Sequence, residues 1–132
     1  MNMTCDLVDG GAGRILAEAL TAGSMPILLF AFIVALIVRV AQGSASVAMI
    51  TAAGLTSHVA QVAGVNGARL ALIVIAIASG ASMLSHVNDS GFWLVSRYLG
   101  LTESQTLRSW TISTTLIGLT GFSVCCALSL LV

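Results

Sequence analysis

Met83-Leu-Ser-His-Val-Asn-Asp-Ser-Gly-Phe-Trp93 is a polar knot set between two segments apolar enough for a membrane. A carboxylate at the centre of a bilayer costs about 2.5–3.5 kcal/mol on insertion scales, so such residues usually line a path for substrate or ions. A second polar stretch, Arg39-Val-Ala-Gln-Gly-Ser-Ala-Ser46, interrupts another apolar run. Two broken hydrophobic segments in one chain are the pattern of a transporter site. Composition agrees: 58% of residues are hydrophobic and 8% charged, against about 25% charged in soluble domains.

Lys is absent, and five Arg balance five Asp and Glu. A neutral chain offers no basic patch, which excludes nucleic acid as a partner. Cys5, Cys125 and Cys126 form neither a disulfide framework nor a metal spacing, and no His/Cys/carboxylate set suggests a metal or other cofactor. Asp6 and Asp9 stand where a signal peptide carries Lys or Arg, so no cleaved signal is expected. Each crossing needs about 20 residues, so 132 residues hold three or four. The chain reads as one membrane domain, part of a larger machine or one half that needs a partner.

Residues 1–24 suggest an interfacial or hairpin-arm segment with a short helix, carrying an Arg14/Glu18 pair at i,i+4. Gly11-Ala-Gly13 lacks the third Gly and the preceding strand of a dinucleotide fingerprint. Ser24 is a candidate N-cap with Pro26 in the first turn. Pro26–Ala41 would reach roughly 24 Å and Ala45–Leu55 about 16 Å, both short of the roughly 30 Å hydrocarbon core. Over 25–58 the expectation is a re-entrant hairpin with its tip at 42–44; one kinked spanning helix is the alternative. Thr56–Gly67 reads as a polar connection containing Ser57, His58, Gln61 and Asn66.

Residues 68–99 read as a helix broken at the knot. Its first half ends in small residues (Ala76, Ala78, Ser79, Gly80, Ala81, Ser82), which should pack inside the protein. Thr102-Glu103-Ser104-Gln105 has capping-box form, opening a last transmembrane helix over 103–132 with Trp110 as an interfacial aromatic. Arg97 and Arg108 place residues 97–108 in the cytoplasm.

At the first break, the hydroxyls and free amides of Gln42-Gly43-Ser44-Ala45-Ser46 suit an anion at a helix N-terminus, where dipole and unpaired N–H groups favour negative charge. A Gly-Ser kink explains the same residues. Arg39 offers a bidentate fork for a carboxylate, or caps its own helix, or pairs with a carboxylate from another segment. At the second break, Asp89 in a low dielectric could carry a proton, with His86 relaying it or orienting the Asp, while Asn88 and Ser90 bind hydroxyls. Asp89 or Ser90 could equally N-cap the helix over Phe92–Leu99, and cap and ligand roles can coexist.

Arg39–Met49, Ser85–Trp93 and Gly100–Thr111 resemble signature stretches of the gluconate:proton symporter (gluconate permease) family of the ion-transporter superfamily. The resemblance runs from about residue 10 onward and corresponds to the C-terminal third of a member. It implies an all-α, polytopic bacterial inner-membrane protein with inverted repeats, a re-entrant helical hairpin and a discontinuous transmembrane helix. It implies proton-coupled uptake of gluconate or a related sugar acid, not an enzyme. The substrate carboxylate, protons and membrane lipid are the expected partners, with the missing N-terminal repeat and a homo-oligomer beside them. A permease for D-serine or another hydroxy acid, or a non-transporting membrane subunit, are the alternatives. Ser46 stands where members usually carry Thr, Thr114 where many carry Glu, and Ser57–Gln61 is atypical.

Overall fold

The computed structural model describes residues 26–65 and 67–131, and all regular structure among them is helical. Ser24 and the Arg14/Glu18 segment lie outside the described residues. The order is α1 (Ile27–Gln42), α2 (Ala45–Val62), α3 (Gly67–Ser82), α4 (Ser90–Leu99), α5 (Glu103–Thr106), a π-helical turn (Leu107–Thr111) and α6 (Ile112–Ser129). From Glu103 to Ser129 the helix is continuous over 27 residues.

Small residues draw α1, α3 and α6 together. Ala31 and Ala35 of α1 and Ala76 and Ala81 of α3 are fully buried. Gly80 packs so closely against α1 that a Cβ there would overlap the Phe32 carbonyl oxygen. Gly118 of α6 does the same to α3, where a Cβ would come within 2.6 Å of the Ser79 carbonyl oxygen. Backbones this near gain dispersion contacts along their whole length, the packing that works where lipid removes the hydrophobic drive. Phe32 stacks on Phe122 at 4.1 Å and locks α1 to α6. Large apolar side chains such as Ile50, Val74, Leu116 and Ile117 point outward, the reverse of a water-soluble domain.

The polar connection expected over Thr56–Gly67 is helical as far as Val62. Thr56, Val59 and Ala60 continue the inward stripe begun by Ala48 and Ala52. Ser57 returns its hydroxyl to the Gly54 carbonyl at 2.8 Å, so the helix absorbs it. No breaker intervenes until Gly64, with φ +64°. α2 is therefore 18 residues rather than eleven; it and Glu103–Ser129 are each long and apolar enough to cross a membrane, so the expectation of two short arms holds for α1 alone. The α1 and α3 helices, 16 residues each, are shorter.

Helix capping places the two breaks. α1 ends where Gly43 takes a left-handed φ of +71° and returns its N–H to the Arg39 carbonyl. Ser44 at once N-caps α2, accepting from the Val47 amide. α3 stops at Ser82, and Leu84 adopts φ +51°, a left-handed conformation costly for a bulky residue. Asp89 N-caps α4 through the Gly91 amide. Thr102 and Gln105 form the expected capping box on α5.

Candidate functional site

Folding brings the two breaks into contact. The Asn88 carbonyl lies directly against Gly43, where a Cβ would sit 2.5 Å from the carbonyl carbon, and Asn88 Nδ2 donates to the Ala41 carbonyl at 3.2 Å. Only glycine serves at position 43, since it supplies both the left-handed turn and the space for the second break.

Arg39, in the last turn of α1 and 4% exposed, is the link. Its Nη1 donates to the Gly43 carbonyl at 2.6 Å, its Nε to the Met83 carbonyl at 3.4 Å, and its Nη2 to Asp89 Oδ2 at 2.6 Å. It thus caps its own helix and pairs with a carboxylate from another segment, both of the alternatives to direct substrate contact. Three N–H groups are used of the five a guanidinium carries.

Asp89 is 8% exposed and surrounded by donors. Oδ1 accepts from the Gly91 amide at 3.0 Å. Oδ2 accepts from Arg39 and from the Ser85 hydroxyl. Helix cap and ion pair coexist in the one side chain. A buried charge stripped of its partner costs about 3–5 kcal/mol, so this pair is a strong tie between the breaks, and parting it requires a replacement for each charge.

The remaining predicted residues lie at the two breaks. Gln42 closes α1, Ser44 opens α2, and Ser46 lies in its first turn. Ser90 opens α4. Gln42, Ser46, Asn88 and Ser90 are exposed, whereas Gly43 is buried. His86 turns its Nδ1 to the Leu84 carbonyl, 2.7 Å away. The hydroxyl that orients Asp89 is that of Ser85, 1% exposed, not the His86 ring. Among the described residues no three His, Cys, Asp or Glu side chains gather as a metal centre would need.

Sequence reasoning missed the contribution of the last helix. Trp110, read as an interfacial aromatic, donates its indole N–H to Ser85 Oγ at 2.9 Å, and the Thr111 hydroxyl donates to the Ser85 carbonyl. The available signals were the i,i+4 spacing of Ser85 and Asp89 and the position of Trp110 within the stretch Gly100–Thr111. A surface depression of about 690 Å³ opens along Trp93, Arg97, Gly100 and Glu103, away from the Arg39–Asp89 pair, which is closed.

Residues 3–131 match the family described as GntP family permease. The chain is 46% identical over 115 residues to the low-affinity gluconate transporter of Escherichia coli (strain K12), covering 87% of this chain and 26% of that protein. It is 44% identical over 115 residues to the Gnt-II system L-idonate transporter of the same organism, with the same coverage of 87% and 26%. To the gluconate permease of Bacillus licheniformis it is 38% identical over 126 residues, covering 96% and 28%. The chain spans about a quarter of the length of the curated relatives it matches, less than the third expected from the resemblance. No solved structure matches it.

Proposed function

The chain belongs to the GntP family of permeases, membrane transport proteins rather than enzymes, and we propose that it forms part of a proton-coupled importer of gluconate or a related sugar acid. The observation that carries this reading is the buried Arg39–Asp89 pair joining two helix breaks. The relatives' printed substrates, gluconate and L-idonate, are both polyhydroxy carboxylates. Arg39 would take the carboxylate on its planar fork. Gln42, Ser44, Ser46, Asn88 and Ser90 would take the hydroxyls, with Gly43 letting the backbones approach.

Substrate carboxylate and Asp89 then compete for one guanidinium. When the substrate takes Arg39, Asp89 is left buried without its cation, and an isolated charge in a low dielectric is far costlier than a neutral acid. A proton therefore joins Asp89 as the substrate anion joins Arg39, and both leave together on the other side. His86, next to the break, would relay that proton. In this reading α1 and α2 are the arms of a re-entrant hairpin, α3 and α4 a discontinuous helix, and residues 97–108 face the cytoplasm of an inner-membrane, multi-pass transporter. An N-terminal inverted repeat completes it.

The test is uptake of [14C]gluconate into proteoliposomes by this chain co-expressed with the N-terminal portion of a gluconate-transporting relative. Accumulation should follow an imposed proton gradient, and idonate should compete. Asp89→Asn, which keeps size and shape, should abolish accumulation while leaving counterflow exchange. Normal accumulation by well-expressed Asp89→Asn would sink the proton-carrier role, and no uptake by the wild-type assembly would sink the whole reading.

A further inference from the structure

The helix from Glu103 to Ser129 departs from α-helical winding over Leu107–Thr111, where it makes a π-helical turn. Such turns cost hydrogen-bond geometry and mark functional positions in many helices. Here the turn supplies two donors to one buried residue of the second break. The Trp110 indole N–H donates to Ser85 Oγ, and the Thr111 hydroxyl to the Ser85 carbonyl. Among the described residues, the hydroxyls of Ser82, Ser109 and Ser123 return to a carbonyl of their own helix. Ser85 instead donates to the Asp89 carboxylate, at the oxygen that Arg39 also holds.

A hydroxyl has one proton and two lone pairs. With the indole N–H filling a lone pair, the Ser85 proton is aimed at Asp89 Oδ2. The chain of contacts runs Trp110, Ser85, Asp89, Arg39, and each link is a side-chain contact. Arg39 is the charged group paired with Asp89, while the His86 ring is engaged at the Leu84 carbonyl.

We propose that Trp110, acting through Ser85, is a positioning residue that sets how tightly Asp89 holds Arg39, and thereby sets the affinity for the carboxylate substrate. This rests on the reading that substrate and Asp89 compete for Arg39. A better-held competitor means weaker substrate binding, so removing either supporting donor should tighten it. A hydrogen bond to a charged group is strong enough to change the competition about tenfold. Loss of packing alone predicts the opposite, fewer sites or weaker binding.

The experiment is equilibrium binding of [14C]gluconate to the co-expressed assembly, with Asp89→Asn, Ser85→Ala, Trp110→Phe and the Ser85→Ala/Trp110→Phe double variant. Asp89→Asn, which removes the charged competitor, should bind tighter than wild type. Ser85→Ala should bind about tenfold tighter, Trp110→Phe tighter by a smaller factor, and the double variant no tighter than Ser85→Ala. Tighter binding in Asp89→Asn with unchanged or weaker binding in Ser85→Ala overturns this inference and leaves the competition intact. So does a Trp110→Phe effect that persists in full in the Ser85→Ala background, since Trp110 then acts by another route. Unchanged affinity in Asp89→Asn overturns the competition itself, and the inference falls with it. Should Trp110→Phe fail to fold, Trp110→Leu, which also lacks the indole N–H, takes its place in the same comparison.

Discussion

Gly43→Ala should break the site without touching any charged group. Two costs act there. Gly43 has φ +71°, and an L-residue in that conformation loses about 1–2 kcal/mol. Gly64, with φ +64° and no atom within 4 Å of an added Cβ, isolates that first cost. At Gly43 the new Cβ would also lie 2.5 Å from the Asn88 carbonyl carbon, where about 3.5–4.0 Å is the favourable carbon separation. The obstacle is backbone, so the two breaks must part by roughly 1 Å. The Arg39–Asp89 contact, 2.6 Å, would then exceed the usual hydrogen-bond limit of about 3.2 Å. At that separation the ions still face each other but their charged hydrogen bond is lost, which costs about 1.5–3 kcal/mol, for a total of about 2.5–5 kcal/mol. That is a large share of a typical stability of about 5–15 kcal/mol. Unfolding in detergent, followed by helical circular dichroism, should show Gly64→Ala mildly destabilised and Gly43→Ala severely so. If the two variants fall within about 1 kcal/mol of each other, the breaks are not held in contact and the argument for a joined site fails.

Arg39→Lys should lower gluconate affinity at least about tenfold in binding assays, because a compact ammonium cannot span acceptors at Gly43, Met83 and Asp89 as the planar fork does; affinity equal to wild type would remove Arg39 from substrate binding. Ser44→Cys, in a background without Cys5, Cys125 and Cys126, should react with a water-soluble maleimide from one membrane face only; equal rates from both faces would contradict a re-entrant tip. Gly118→Ala, which would press on the Ser79 carbonyl and Met83, should destabilise the protein in the same detergent titration by about 1–3 kcal/mol; a neutral result would mean α3 and α6 pack less closely than described.

Composition and local pattern were enough to establish an apolar, helical, membrane-type chain with interruptions near residues 42–44 and 83–91. They were also enough to single out Arg39 and Asp89, because charges are rare in such a chain and each one that remains needs a partner. Capping signals are local too: Gly43, Ser44 and the Thr102/Gln105 box act within four residues of themselves, so the sequence displays them. The true length of α2 was not legible, since Thr56, Ser57 and Gln61 look like loop residues until an inward stripe and a back-bonded hydroxyl give them places in a helix. The ion pair joins residues 50 apart in the chain, and Trp110 reaches Ser85 across 25. No periodicity encodes such pairings. They arise because Gly80 and Gly118 let α1, α3 and α6 approach until the breaks meet, and that close approach is a property of the packed backbones rather than of any one segment.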